Sequence, residues 1–313
     1  MRIEIYNNTY KKQWDDFVRN SKNGTFLFLR DFIEYHGDRF KDHSLLFFVN
    51  DRLIAIMPGH IEDRTFYTHK GLTYGGLIMN LETTAEIVLK IFHYLIFTFK
   101  QQGIDRIIYK AIPHIYHTHP SEEDLYALFR HGATIYERNI SSVLTLPNDV
   151  DYSKSRKNGI KKSKSKNVRI EYSSSILKEF WEILEANLQQ KYSSQPVHSY
   201  NEIIHLKEKF PDNIHLYVAR DYDDVIQGGC LLFETDNLVH VQYSSATEHG
   251  KAIGVMDCLI DSIIQIYSKE GKKYFDYGTS NENGGLYLNE KLIYQKEGFG
   301  GRGIIYDIYM VRI

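Results

Sequence analysis

Leu238-Val239-His240-Val241-Gln242-Tyr243 opens the stretch that decides the fold of this 313-residue chain. Its apolar residues alternate with polar ones, the pattern of a half-buried strand. A loop is expected over 244–252, and then a helix over about 253–267. That helix sets Ile253, Met256, Ile260, Ile263 and Ile264 on one face. Tyr274-Phe275-Asp276-Tyr277-Gly278 reads as a second strand. A loop rich in glycine and asparagine follows, and a short helix ends at Tyr294-Gln295-Lys296-Glu297-Gly298-Phe299-Gly300. Glycine lets a backbone approach a ligand closely, and the free N–H groups of a first helical turn suit a pyrophosphate. Gly250 and Gly254 therefore mark 248–254 as a candidate phosphate loop.

Strand, glycine-bearing loop, helix, strand, loop, helix and Gly-Phe resembles the acyl-CoA-binding half of the GNAT N-acyltransferases. Glu248-His249-Gly250-Lys251-Ala252-Ile253-Gly254 is similar to that family's pyrophosphate loop, with Glu248 or His249 where Arg or Gln is usual. The run from Leu292 to Phe299 resembles the family's last helix, whose tyrosine precedes Gly-Phe by four residues; here it is Tyr294. The resemblance implies acyl-CoA as co-substrate, held by Tyr243, Ser244, His249, Gly250, Lys251, Ala252 and Gly254.

Outward from that stretch, the chain is long enough for two domains, each with its own core. Its 42% hydrophobic and 25% charged residues are ordinary globular composition. The 24 tyrosines and 17 phenylalanines favour a strand-rich architecture with amphipathic pockets. A net charge of -2 argues against a large nucleic-acid footprint, and DNA is not an expected partner. Cys230 and Cys258 sit in apolar runs, which suits buried thiols in a reducing compartment. The first residues lack the apolar core of a signal peptide. The most apolar run, 87–99, is interrupted by Lys90 and His93 and is too short to span a bilayer. A cytoplasmic protein without membrane insertion is expected.

From the start, Trp14, Phe17 and Val18 mark an amphipathic helix, and 26–36 reads as a second. Strands are expected at 45–49 and 52–57 about the turn Asn50-Asp51, at 65–68, 106–111 and 142–146. Helices are expected at 87–99 and 121–130. The second half repeats this programme: 215–219 answers 45–49, 226–233 answers 53–57, Gly271 answers Gly103 and Gly298 answers Gly132. The expected fold class is α/β (mixed α+β), with two tandem GNAT-like domains, each a mixed twisted sheet flanked by helices. The N-terminal domain is set at 1–150 and the C-terminal domain, with the acyl-CoA site, at 151–313.

Between the copies runs Lys154-Ser-Arg-Lys-Asn-Gly-Ile-Lys-Lys-Ser-Lys-Ser-Lys166, a solvated helix or linker on its composition. Leading into the second domain, it also resembles an Arg…Ile-Lys-Lys pattern of the FemABX-type peptidyltransferases, beginning at Arg156 and including Ile160, Lys161 and Lys162. Those proteins too are tandem GNAT-like domains. The coiled-coil arm that some of them carry is not visible here.

Acyl transfer needs a neutral amine, so a proton acceptor is required. His198 follows the helix over 176–190, in a loop that faces the acceptor in GNAT folds. It is either that base or a brace for the helix over 201–210. Tyr294 either protonates the departing thiolate or belongs to the core. Asp276, at a strand end, either orients the amine or caps a loop. Tyr74, Tyr192 and Tyr200 offer faces for a base or sugar ring, Arg156 and Lys191 offer charge for a diphosphate, and Gly75-Gly76 permits close approach. His114, His117 and His119 share no regular spacing with an acidic or cysteine ligand, so no metal is expected. No Gly-x-Ser-x-Gly elbow or phosphate-binding Lys-Ser/Thr loop occurs, which argues against covalent serine catalysis and nucleotide hydrolysis.

These readings make the chain an acyl-CoA-dependent N-acyltransferase acting directly on the amine of a nucleotide-linked amino sugar, as in cell-surface polysaccharide synthesis. The first rival is an aminoacyl-tRNA-dependent ligase of peptidoglycan bridges, the one case with tRNA as partner. The second is a degenerate tandem module that only binds a partner.

Overall fold

The computed structural model describes residues 1–173 and 176–313, and within them every side chain but those of His36 and Tyr192. The chain forms two units of mixed α/β structure, Met1–Ile140 with Asn281–Leu288 and Ile304–Ile313, and Ser141–Ser280 with Asn289–Gly303.

In the first unit β1 (Arg2–Ile5), β2 (Leu45–Val49), β3 (Arg52–Met57) and the short β6 (Ile78–Met79) form one sheet in that order. Asn50 and Asp51, at φ 48° and 59°, make the left-handed turn that the twist of a β2–β3 hairpin favours. β4 (His60–Glu62) and β5 (Thr65–Tyr67) form a second hairpin. The expected helix over 26–36 is broken. Leu29 is extended at ψ 144°, and only Arg30–Ile33 is α-helical. The break is held from α1 (Lys11–Arg19), where Trp14 Nε1 donates to the Phe28 carbonyl at 2.7 Å and Asp15 accepts the Arg30 amide at 2.8 Å. That short helix is α2. Along α3 (Ala85–Gln101), Val88, Ile91, Phe92, Leu95 and Phe99 recur at helical spacing and are buried. β7 (Arg106–Lys110), α4 (Glu123–Arg130) and β8 (Thr134–Thr145) follow, and β8 carries the chain into the second unit.

The first unit has its own parallel pair, β5 beside β7. Beyond it, Lys110 donates its amide to Thr68 Oγ1 at 2.8 Å, and Gly75 donates to the Lys110 carbonyl at 3.3 Å. The chain's own loop closes the space past these strands.

The second unit begins with α5 (Lys154–Ser165) and β9 (Arg169–Tyr172). Next come α6 (Leu177–Tyr192), α7 (Tyr200–Lys209), β10 (Ile214–Arg220), β11 (Ile226–Glu234) and β12 (Leu238–Ala246). α8 (Glu248–Ile253), α9 (Val255–Lys269) and β13 (Tyr274–Thr279) complete the run. Its sheet runs from the end of β8 through β13, β12, β11 and β10 to β9. α9 lies on one face, burying Leu259, Ile263 and Ile264 against Cys230, Leu232, Val239 and Phe275. α6 lies against β11 and β12, its Phe180 beside Gly229. The loop expected over 244–252 is replaced by three more residues of β12 and by α8, which Thr247 caps by accepting the Gly250 amide at 2.9 Å.

β14 (Asn281–Glu282) and β15 (Tyr287–Leu288) then belong to the first unit, α10 (Glu290–Glu297) to the second, and most of β16 (Arg302–Arg312) to the first again. β16 pairs with β7, Ile308 facing Lys110 and Arg312 facing Arg106. Where a boundary was expected between 150 and 151, the two units divide at 140/141, with two later segments returning to the first unit. The reason is backbone satisfaction: the last strand finds its hydrogen bonds on β7. No helix of the described residues is long and apolar enough to cross a membrane.

Candidate functional site

β12 is hydrogen-bonded to β11 along nearly its whole length, with Gly228 facing Ala246 and Glu234 facing Val239. On its other side it pairs with the parallel β13 only from Leu238–Tyr274 to His240–Asp276. Past that point the two strands part. Leu231 faces Tyr243 while Leu232 faces Val241, so Gln242 is an extra residue in a bulge. A bulge bends its strand and sharpens the local twist. The gap opens on a cleft of about 560 Å³, lined by Val241, Ser244 and Tyr277 from the strands and by α6, α9 and α10.

The charge of this cleft is one-sided. Lys191, Lys251, Lys291 and Lys296 line it, and no Asp or Glu is among the described lining residues. Lys251 Nζ donates to Asn187 Oδ1 at 2.6 Å and pairs with Glu248. Lys296 Nζ donates to the carbonyls of Gly278 and Thr279 at 2.7 and 2.8 Å. Burial lowers its pKa to about 8, against the pull of Asp276 toward the charged form.

Of the expected catalytic residues, none lines the cleft. His198 is only 6% exposed; its amide donates to the Tyr243 hydroxyl at 3.2 Å and its Nδ1 lies 2.7 Å from the same oxygen. These two contacts tie His198 to the strand β12 tyrosine, inside the second unit. Tyr294 is 67% exposed on the outer side of α10, whose cleft side carries Leu292, Gln295 and Lys296. Asp276 is wholly buried: it accepts from Ser141 Oγ at 2.5 Å and the Gly278 amide at 2.9 Å, and pairs with His240 Nδ1 at 2.8 Å. It cannot touch an amine directly.

Of the expected donor residues, Ser244 and Lys251 line the cleft, whereas Tyr243 turns to His198 and Trp181. His249 and Ala252 are exposed on α8, outside the lining. The two glycines have a packing role within the chain itself. A Cβ on Gly250 would stand 2.2 Å from the Gln227 carbonyl oxygen, and one on Gly254 2.6 Å from that of Gly159. Their close approach is to this protein's own backbone. Among the acceptor residues, only Lys191 reaches the cleft. Tyr74, Gly75 and Gly76 are buried in the first unit, where the Tyr74 hydroxyl pairs with Thr25 at 2.9 Å. Arg156 pairs with Asp257 and lies over the Phe299 ring. Tyr200 opens α7 away from the lining, and the side chain of Tyr192 is outside the described residues.

Sequence reasoning missed His240 and Lys296. Lys296 was within reach: it stands two places after Tyr294, and a step of two along a helix reverses its face. His240 had no local signal, because its partner is 36 residues away. No group of three or more potential metal ligands occurs among the described residues.

Residues 152–287 match the family described as Acetyltransferase (GNAT) domain. No curated protein sequence matches the chain. Among solved structures, FemX is similar with a TM-score of 0.69 at 9% identity, covering 100% of this chain and 98% of that one. The C-terminal domain of a putative lysylphosphatidylglycerol synthetase from Agrobacterium fabrum gives 0.65 at 13%, covering 97% and 92%. L-PGS from Bacillus licheniformis gives 0.64 at 13%, covering 96% and 91%. At such identities the likeness is one of fold. The GNAT match thus falls almost wholly within the second unit, on the stretch that holds the parted parallel strands and most of the cleft, and over its whole length the chain has a FemX-like fold.

Proposed function

We propose that the second unit transfers an acyl group from an acyl-CoA to an amine. The observation that carries this reading is the edge of β12 beyond His240, which β13 leaves unpaired in a lysine-lined cleft. Main-chain groups on such an edge accept an extended ligand as they would another strand, and the pantetheine arm of coenzyme A carries two amides. The lysines suit its phosphates. Transfer is direct: Cys230 is fully buried with its thiol pushed up by desolvation, and burial pushes Cys258 up as well. A nucleotide-linked amino sugar is the acceptor class we favour, since its diphosphate too suits a cleft lined by lysines.

The test is calorimetry with coenzyme A, together with thiol release from acetyl-CoA in the presence of nucleotide amino sugars. Binding is expected, and Lys296→Met is expected to weaken it by about tenfold, the loss of one charge-assisted contact. No binding and no thiol release with wild-type protein would overturn the thioester donor.

A second reading is favoured by α5. Lys154, Lys161, Lys162 and Lys166 are exposed there or at its end with no acidic partner among the described residues, and Gly159 of the same helix closes over Gly254. An aminoacyl-tRNA donor would use such a surface. Its transfer activity would fall steeply with salt, whereas that with acyl-CoA would change little.

A further inference from the structure

We propose that His240 is the group that takes the proton from the attacking amine, with Asp276 as its positioning residue. The inference rests on the N-acyltransfer reading above and assigns the chemistry within it. His240 and Asp276 form the last pair of the β12–β13 ladder, so the imidazole stands at the apex of the gap between the strands. Asp276 Oδ2 lies 2.8 Å from Nδ1, and Oδ1 is held by Ser141 Oγ and the Gly278 amide. A buried carboxylate fixed from both ends accepts only, which places the ring hydrogen on Nδ1 and leaves the lone pair on Nε2. Nε2 has no hydrogen bond among the described residues, and the side chain is 12% exposed.

The dyad adjoins the cleft through one residue. A Cβ on Gly278, at φ +76°, would stand 3.4 Å from His240 Cε1, while the carbonyl of that glycine receives Lys296 Nζ at 2.7 Å. The groups facing the imidazole are therefore Asp276 from β13, with Ser141 from β8 behind it, Lys296 from α10 across Gly278, and the apolar Phe233 as its β11 partner. In the step, the neutral amine nitrogen bonds to the acyl carbon as the C–S bond breaks. The proton lost by nitrogen goes to Nε2 and from there to the departing thiolate. Amine and thioester give amide and thiol, and the imidazole returns to its starting state.

The experiment follows thiol release from acetyl-CoA with nucleotide amino sugars between pH 6 and 9.5, in wild type, His240→Gln and Asp276→Asn. It is joined by ¹⁵N NMR of the histidine rings. His240→Gln is expected to lower kcat by about 10²–10⁴-fold with the KM for acetyl-CoA unchanged, and the deficit should shrink at high pH, where the amine is already neutral. Asp276→Asn should displace the pH profile and shift His240 away from the Nδ1–H tautomer. Its ring signature does not depend on turnover and guards against misreading a misfolded variant. Wild-type rates in His240→Gln, or an Nε2–H tautomer in wild type, would overturn the assignment while acyl transfer stood. The expected tautomer in a wild-type protein that neither binds coenzyme A nor releases thiol would instead overturn the donor reading, and this assignment with it.

Discussion

At the scale of single residues, one buried and one half-buried base make the protein sensitive to pH in different windows. His60, in the first unit, is 1% exposed; among the described residues neither ring nitrogen has a hydrogen-bond partner, and Nε2 lies 3.4 Å from Glu62 Oε1. Burial lowers its pKa to about 4, although Glu62 pulls the other way. The unfolded chain, at about 6.5, binds this proton first as pH falls, so folded stability from His60 is complete above about 6.5 and lost on the way down to about 4. The loss should reach about 2 kcal/mol by pH 5, read from urea midpoints. His60→Phe, packed among Phe40 and Tyr67, should flatten that dependence. Lys296 carries its charge in full only below about pH 8. Affinity for coenzyme A should therefore weaken as pH rises through that value, and Lys296→Met should remove this limb of the titration.

At the scale of elements, the glycines of 248–254 let α8 and α9 approach β11 and α5 closely. α5 lies on the start of α9 so closely that a Cβ on Gly159 would stand 1.7 Å from Asp257 Oδ2, the carboxylate that pairs with Arg156. Gly159→Ala must displace that side chain or the helix, and we expect a loss of about 1–3 kcal/mol, seen as a lower melting temperature. Gly250→Ala meets the Gln227 carbonyl and should do the same. Coenzyme A affinity in the fraction that stays folded should be unchanged in both; a selective loss of binding in Gly250→Ala would place that glycine at the donor site. The lysine side of α10 and the pairing of His240 with Asp276 belong to this scale as well. Each depends on which way a helix or strand is turned.

At the scale of the whole molecule, the last strand serves the unit that begins the chain. A protein ending at Gly303 should lose β16 from the edge of β7, where Ile308 to Arg312 face Lys110 to Arg106. Amides of β7 should then exchange much faster, while those of β11 and β12 in the second unit stay protected. Equal loss of protection in both would mean that the units fold as one.

The sequence by itself determined the kinds of the long periodic elements, though not the break at Leu29 or the short helix α8. α9 was legible because Ile260, Ile263 and Ile264 repeat at the period of a helix, and β12 and β13 because their apolar residues alternate. The order of those elements carried the resemblance to a GNAT domain. Of the residues singled out in the sequence, Lys191, Ser244 and Lys251 line the cleft. What only the tertiary structure decided was facing and partnership. It turned Tyr294 outward and Lys296 inward, set His198 against the Tyr243 hydroxyl, and packed two glycines against the chain's own backbone. It also brought Ser141, His240 and Asp276 together from three strands. Periodicity is a local property, written in neighbouring side chains. A buried carboxylate finds its hydrogen-bond partners wherever packing brings them, and nothing local records that choice.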